Sequence, residues 1–432
     1  MLKIGHTVRV RKDIRGKSPK TDPEVIAVPE ELETVPGIPT NDETVSYYAR
    51  HYPIESHAVE NFVYRKWSRE VSDIKETRDE HDALMKPFVQ AAAVSGDLEP
   101  TVEPVPGKDV TKEIKDKALE LGFSMVGTTA YDSRYTYKSK RKWVKPYPHA
   151  ICLAVEQPYE ETQTIPSEPA ERAVFATYRW GGEKGLEMGN YIRSLGYHAQ
   201  VNNPVDPGSA LLPMFVQAGM GQMGASGYLL SPHFGSRVRL MYITTDAPVT
   251  YDKPEDFGIQ ALCNICQVCV NRCPGRALSR EQVWWRGVHK FKVTASRCRP
   301  VMARYAACGV CMKVCPVQRY GLKPVMDHYG ATGQVLGKGT HQLEGYEMRD
   351  MGYFGPGELP RFDAEFFDIP EGSAGEYLLQ GMQAKIAADK IPQGAEGDKI
   401  WREFRTELEE AIKGPKDSIR GTYEVEADID EF

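Results

Sequence analysis

The pattern of hydrophobic and polar positions becomes regular near residue 110. In DVTKEIKDKALELGF the apolar residues recur at helical spacing, and the apolar segment FSMVGTTA that follows is typical of a buried strand. HAICLAVEQP and VRLMYITTDAPV predict two more strands, and ERAVFATYRWGGEKGLEMGNYIRSLGYHAQV predicts a helix interrupted at its glycines. Strands that alternate with helices predict an α/β (or α+β) core whose sheet carries helices on its faces.

The segments on either side of this core have a different composition. Residues 1–110 are rich in Pro, Glu, Asp and Lys and lack a sustained period, which predicts an extended and helical arm that wraps the core. After residue 330 the chain is rich in glycine and aromatic residues, and it ends in a charged helix and an acidic tail. We therefore predict an N-terminal arm (1–110), a core (111–260), a cysteine-rich segment (261–330) and a C-terminal wrapping segment (331–432).

Charge and hydropathy argue against two classes of partner. The 432 residues have a formal net charge of −6, so binding to nucleic acid is not indicated. No window approaches the roughly 18 consecutive apolar residues that a membrane span requires. The N-terminal sequence also lacks the apolar stretch of a secretory or twin-arginine signal. We therefore expect a cytoplasmic protein without a membrane span.

Eight of the nine cysteines lie between Cys263 and Cys315. Disulfide frameworks belong mainly to short secreted domains, so metal binding is the better interpretation of this density. The remaining cysteine, Cys152, lies in the apolar strand HAICLAV and is predicted to be a small core residue.

The spacing of the clustered cysteines predicts two iron–sulfur clusters. From Cys263 to Pro274 the chain reads Cys-x-x-Cys-x-x-Cys-x-x-x-Cys-Pro, the run of bacterial two-cluster ferredoxins, in which the fourth cysteine ligates the other cluster. A second run ends at Pro316, and its first ligand, Cys298, has moved outward. Four thiolates also suit zinc, but the proline after each run and the crossed spacing favour clusters. The two predicted ligand sets are Cys263, Cys266, Cys269 and Cys315, and Cys273, Cys298, Cys308 and Cys311.

A glycine-rich stretch, GMGQMGASGYLLSPHFGSRVRLMYITTDAPV (219–249), leads toward the first cysteine run. Together with the helix NYIRSLGYHA, this arrangement resembles the cobalamin-dependent reductive dehalogenases over residues 110–330, and the related epoxyqueuosine reductases share it. The resemblance implies a nitroreductase-like corrinoid-binding core and a ferredoxin-like segment whose two 4Fe-4S clusters reduce cobalt. It also implies base-off cobalamin. In agreement, DHYGATG (327–333) has the wrong spacing for the Asp-x-His-x-x-Gly motif that supplies a histidine to cobalt.

The resemblance also implies residues for the site. Tyr178 is the expected proton donor, Arg237 the cation that stabilises its phenolate, and Asn203 the residue that orients the substrate or the phenol. Arg239 and Asn202 are alternatives, because strand alternation sends Arg239 to the same face as Arg237. A buried aromatic and a carboxylate-paired arginine are the structural alternatives for Tyr178 and Arg237. Glycines would let the backbone approach a flat macrocycle, although plain turns also explain them. The expected cofactor-binding residues are Gly219, Gly221, Gly224, Gly227 and Tyr228.

Two other functions compete with dehalogenation of a small organohalide. Epoxyqueuosine reduction is disfavoured because the Arg-Asp-Tyr-His element expected after Tyr178 is missing, although Glu183 remains an alternative acid. An iron–sulfur electron carrier would need only the cysteine-rich segment. Residues 331–432 contain no cysteine and are too short for an appended reductase domain, so we expect an external ferredoxin, flavodoxin or reductase as electron donor. Homodimerisation is left open.

Overall fold

The computed structural model of the chain describes residues 68–411, except 70, 133–134, 137–143, 146, 206, 286–287, 368–380, 383–384, 386–387, 389 and 393. Most of the predicted N-terminal arm and the acidic tail lie outside these residues. The strands are β1 (Met125–Ala130), β2 (His149–Glu156), β3 (Ala199–Asn202), β4 (Gln222–Met223), β5 (Leu229–Leu230), β6 (Val238–Thr245), β7 (Leu278–Trp285), β8 (Val288–Val293), β9 (Tyr346–Met348) and β10 (Gly352–Phe354). The helices are α1 (Lys75–Val94), α2 (Thr111–Glu120), α3 (Tyr159–Gln163), α4 (Glu168–Ser194), α5 (Leu211–Gln217), α6 (Ile259–Cys266), α7 (Val268–Arg272), α8 (Ala295–Arg304), α9 (Val310–Lys313), α10 (Pro316–Tyr320), α11 (Leu322–Thr332), α12 (His341–Glu344) and α13 (Ala395–Ala411), with 3₁₀ turns at Ser95–Asp97 and Ala364–Phe367.

A four-stranded sheet forms the centre of the core. Its strand order is β1-β2-β6-β3, and every neighbouring pair is antiparallel. Helices α2 and α4 cover one face, where Ile114 and Met188 pack with Ile151 of β2. Helix α5 covers the other face, where Phe215 packs with Cys152. The prediction of helices on both faces of a mixed helix and sheet core is confirmed, and Cys152 is fully buried as expected.

Helix α4 runs without a break from Glu168 to Ser194, so the predicted interruption at its glycines is wrong. A Cβ at Gly185 would lie 2.0 Å from Met241 Cε on β6, and one at Gly189 would lie 2.7 Å from Val201 Cγ2 on β3. The glycines are therefore contact positions that let the helix lie directly against the sheet. Tertiary packing outweighs their low helix propensity.

The cysteine-rich segment and the C-terminal segment share one hydrophobic core. Cys263 and Cys315 pack in it together with Leu343, Tyr346 and Phe367, which come from the wrapping segment. The described end of the N-terminal arm is helix α1, which packs on α4 and β3. Within the described residues, no helix is both long and apolar enough to cross a membrane.

Candidate active site

The clustered cysteines lie on short helices and on the turns between them. Helices α6 and α7 are separated by Gln267, whose φ of 52° is left-handed. The positions are Cys263 and Cys266 on α6, Cys269 on α7, Cys273 at the end of α7, Cys298 on α8, Cys308 before α9, Cys311 on α9 and Cys315 before α10.

Electrostatic interactions divide these cysteines into two groups. Burial raises the pKa of every one of the eight thiols. Cys269 also interacts with all three other members of the first predicted ligand set, and Cys311 with all three others of the second. Cys269 and Cys311 interact with each other, so the two groups adjoin. The sets are those that the crossed spacing predicts, and their role as cluster ligands stays a prediction. Group I is Cys263, Cys266, Cys269 and Cys315, and group II is Cys273, Cys298, Cys308 and Cys311.

Backbone N–H groups point at sulfur in both groups. Ala225 N donates to Cys263 Sγ at 3.5 Å in group I, and Ala277 N donates to Cys273 Sγ at 3.3 Å in group II. Ala225 also lines a recess that is bounded by the four cysteines of group I. Burial raises the pKa of Cys263 to about 12. A buried thiol of this kind becomes a thiolate when a metal and N–H donors stabilise the charge.

Three of the predicted cofactor-binding glycines are explained by the packing of the chain on itself. A Cβ at Gly219 would lie 2.5 Å from Lys253 O, and one at Gly221 would lie 2.3 Å from Leu230 O. A Cβ at Gly224 would lie 2.6 Å from Leu230 Cδ1. The turn alternative therefore accounts for these three positions, and their contact with a cofactor stays a prediction.

Tyr228 follows Gly227, a left-handed glycine with a φ of 79°. The side chain keeps 39% of its surface exposed. Nevertheless, charge on Cys311 and burial raise the pKa of its hydroxyl, Arg239 lowers that pKa, and Tyr178 raises it. Tyr228 thus connects group II with Tyr178 and Arg239.

Tyr178 lies on α4, half-buried against a small apolar cluster that includes Met85 and Val205. The Arg239 guanidinium lies 5.2 Å from the centre of its ring. The Gln157 side chain is 2% exposed, and its amide oxygen faces Arg239. In this orientation the oxygen accepts from Arg239 Nη2 at 3.0 Å and from Nε at 3.2 Å. Gln157 therefore fixes the guanidinium over the tyrosine.

Arg239, the alternative arginine, is the one that lies beside the Tyr178 ring, and the role of either arginine stays a prediction. Arg237 is buried, forms an ion pair with Glu156 and donates to Gln157 O at 3.0 Å. Its guanidinium also lies 5.1 Å from the centre of the Tyr159 ring. The carboxylate-paired alternative thus describes Arg237. Arg237 precedes β6 and Arg239 lies within it, and alternation alone did not reveal which of them reaches α4.

Asn203 has a free donor, whereas Asn202 does not. Asn203 is 2% exposed, its Oδ1 accepts from Val205 N at 3.0 Å, and its Nδ2 has no partner within the described part of the chain. Asn202 uses Oδ1 for Gly208 N and Nδ2 for Gln200 O. Gly182 lies one turn after Tyr178 on α4. A Cβ at Gly182 would lie 3.2 Å from Asn203 Nδ2, so Asn203 is close to this turn of the helix. The Nδ2 donor of Asn203 is therefore available for a hydrogen bond to a bound group or to water.

Comparison with known proteins finds sequence similarity to reductive dehalogenases and to an epoxyqueuosine reductase. A tetrachloroethene reductive dehalogenase from Dehalobacter restrictus is 29% identical over 220 residues, covering 40% of this chain and 39% of the relative. That of Sulfurospirillum multivorans is 29% identical over 180 residues, covering 39% of this chain and 35% of the relative. This chain is a relative of the reductive dehalogenases. An epoxyqueuosine reductase from Synechococcus is 25% identical over 256 residues, covering 48% of this chain and 75% of the relative.

Solved structures show that the fold is shared with the reductive dehalogenases. The catabolic reductive dehalogenase NpRdhA gives a TM-score of 0.52 at 24% identity, covering 61% of this chain and 42% of the neighbour. Its complex with 3-bromo-4-hydroxybenzoic acid gives 0.52 at 23% identity, covering 67% and 45%. The chain spans 39% of the length of the Dehalobacter relative. No protein-family model matches the chain.

Proposed function

We propose that this chain is a cobalamin-dependent reductive dehalogenase. In the reaction, two electrons and one proton reach the substrate, the carbon–halogen bond breaks, a carbon–hydrogen bond forms and a halide ion leaves. The observation that carries the proposal is Tyr228, whose hydroxyl interacts both with Cys311 of group II and with the pair Tyr178 and Arg239. The cysteines proposed to transfer electrons and the residue proposed to donate the proton therefore adjoin the same tyrosine. The relationship to the dehalogenases supports the same activity.

Each cysteine group binds one 4Fe-4S cluster in this proposal. A cluster takes one thiolate at each iron, so its four sulfurs surround a cube, whereas the four ligands of zinc converge on one ion. The N–H donors to Cys263 and Cys273 suit both metals, and the proline after each cysteine run and the crossed spacing favour the clusters.

Cobalamin in its base-off form is the cofactor that the proposal requires. When bound, it supplies a strongly reducing metal centre, which no amino-acid side chain provides. Tyr228, with its exposed surface, fits a large ligand and would contact it. The sequence DHYGATG (327–333) does not have the Asp-x-His-x-x-Gly spacing of a motif that supplies a histidine to cobalt, which agrees with the base-off form.

Tyr178 holds the proton that the reaction consumes. An ordinary tyrosine has a pKa near 10 and is a weak acid unless a cation stabilises its anion. Arg239 supplies that charge from 5.2 Å, and Gln157 keeps the guanidinium in place. Asn203 orients the substrate or the phenol through its free amide donor.

With clusters bound, the cysteines of group I would hold the cluster that receives electrons from the donor, and those of group II would hold the cluster nearer the substrate site. Group II adjoins Tyr228, so it is the inner group in this proposal. Three of the four cysteines of group I are buried, but Ile265 between Cys263 and Cys266 is 47% exposed and offers the donor a surface beside group I. The interaction of Cys269 with Cys311 links the two groups. An external ferredoxin, flavodoxin or reductase serves as the donor in this proposal.

The substitution Tyr178→Phe tests the proposal. We expect turnover to be lost while iron and corrinoid contents stay at the wild-type level, because only the proton donor is removed. Tyr191→Phe, on the same helix but at the α2 side, is the matched control and should keep full turnover. Halide release from tetrachloroethene and from 3-bromo-4-hydroxybenzoic acid under a strong reductant is the measurement. Full turnover of Tyr178→Phe would remove Tyr178 from the mechanism.

A second substitution, Cys273→Ala, tests the crossed ligand sets. Cys273 belongs by sequence to the first run, yet the proposal assigns it to the cluster of group II. We expect the variant to keep the cluster of group I and to lose that of group II, so that about half of the iron remains. Loss of the group I signal alone in electron paramagnetic resonance would refute the crossed assignment.

Epoxyqueuosine reduction is the competing function. Its expected acid, Glu183, has a side chain that is 54% exposed and pairs with Lys184, so it does not join Tyr178 and Arg239. Conversion of epoxyqueuosine in transfer RNA, without halide release from any organohalide, would favour this function over dehalogenation.

A further inference from the structure

A buried hydroxyl without a hydrogen-bond partner lies beside group II. Tyr346 is 1% exposed, and within the described residues its Oη neither donates nor accepts a hydrogen bond. Leaving such a group unpaired costs free energy, so native structures rarely keep one without a reason. The proposed proton donor, Tyr178, lies on α4, whereas Tyr346 lies on β9, so proton donation by Tyr178 does not explain the unpaired Tyr346 hydroxyl.

The surroundings of Tyr346 identify its missing acceptor. Tyr346 belongs to the buried hydrophobic core on which Cys273 and Cys308 of group II pack. A neutral phenol hydroxyl donates a hydrogen bond to electron-rich sulfur.

Arg272 fixes the position of Tyr346. Its buried guanidinium lies 4.9 Å from the centre of the Tyr346 ring. It donates to Glu344 O at 3.2 Å and to Phe354 O at 3.1 Å, which belong to the residues around β9 and its partner strand β10. Since Arg272 directly precedes Cys273, the side chain that holds the tyrosine ring is joined to a group II cysteine by one peptide bond.

We propose that the Tyr346 hydroxyl donates a hydrogen bond to a sulfur of the group II cluster and raises the reduction potential of that cluster. The inference rests on the proposed function, because it requires that group II binds a cluster. Reduction adds negative charge, which spreads onto the sulfurs. A donor to sulfur therefore stabilises the reduced state more than the oxidised state. Tyr346 is thus a positioning residue that sets the electron affinity of the inner cluster.

Anaerobic redox titration followed by electron paramagnetic resonance tests this inference on the full chain. Tyr346→Phe removes only the hydroxyl. We expect the midpoint potential of one of the two clusters to fall by about 59 mV, which is a tenfold change in the equilibrium of a one-electron couple. Tyr353→Phe is the matched control, since Tyr353 lies on β10, is 53% exposed and interacts with His341 Nδ1 at 2.9 Å. It should leave both potentials unchanged.

A second substitution separates hydrogen bonding from loss of structure. Replacing Tyr346 with 3-fluorotyrosine makes the phenol more acidic and strengthens its donor, so the same potential should rise. A purely structural role would not give shifts of opposite sign. If Tyr346→Phe does not retain the cluster, the fluorotyrosine variant tests the inference by itself: a rise of the midpoint potential supports the hydrogen bond, and a fall contradicts it. Unchanged potentials with both clusters present would overturn the inference and leave the proposed function intact, whereas a wild-type protein without cluster signals would overturn both.

Discussion

Replacement of Arg239 by glutamine tests which cation supports the proton donor. The Arg239 Cζ lies 5.2 Å from the centre of the Tyr178 ring. Two unit charges at this separation interact by about 3 kcal/mol when the effective dielectric constant is about 20. If roughly half of the phenolate charge develops in the transition state, the barrier rises by about 1.5 kcal/mol and kcat falls about tenfold. Full charge development would bring the loss to about 100-fold.

The assay is steady-state halide release with Arg239→Gln, Arg239→Lys and Arg237→Gln, each normalised to its corrinoid content. Arg239→Lys should lie between wild type and Arg239→Gln, because lysine keeps the charge but cannot make both contacts with the Gln157 amide oxygen. Arg237→Gln should act mainly on stability, because it leaves Glu156 without its partner. A larger loss of kcat in Arg237→Gln than in Arg239→Gln, at equal cofactor content, would refute the reasoning.

Two further predictions concern stability, measured by thermal unfolding. Gly189→Ala should destabilise the protein by about 1–3 kcal/mol, because the new Cβ would lie 2.7 Å from Val201 Cγ2. Gly330→Ala is the control, because Gly330 is exposed on α11 and no atom lies within 4 Å of its Cβ position. This substitution should stabilise the protein by up to about 1 kcal/mol. Equal effects of Gly189→Ala and Gly330→Ala would contradict the packing role of Gly189. Asp246 Oδ2 lies 2.7 Å from His198 Nδ1, and this hydrogen bond raises the pKa of His198. The interaction therefore stabilises the folded protein fully at pH values below the unfolded pKa of His198, which is near 6.5. The stabilisation is lost as the pH rises through the folded pKa. The difference in Tm between wild type and His198→Gln should therefore be larger at pH 6 than at pH 8.5, and a difference that grows with pH would contradict this.

Local patterns predicted the features that depend on short stretches of sequence. The apolar runs around Cys152 gave the central strands, and the spacing from Cys263 to Cys315 gave the two cysteine groups. Both follow from periodicity and from fixed spacing, which local chain geometry imposes. The glycines of α4 misled the prediction, because their function is close packing against β3 and β6 and not a break in the helix.

Other parts of the site depend on contacts between distant segments. Gln157 follows β2, and it meets Arg239 only because β2 pairs with β6. Neither strand indicates this pairing by itself. Tyr346 joins group II only when the C-terminal segment folds over the cysteines. A search for polar residues at strand ends would have found Gln157, whereas no local signal distinguishes Tyr346 from an ordinary core tyrosine.

Analysis of the metals and the corrinoid in anaerobically purified protein tests the central claim most directly. Two 4Fe-4S clusters and one cobalamin predict about eight iron atoms and one cobalt atom for each chain, with no zinc. Protein that holds zinc at the cysteine groups, or that binds no corrinoid after reconstitution, would contradict the account.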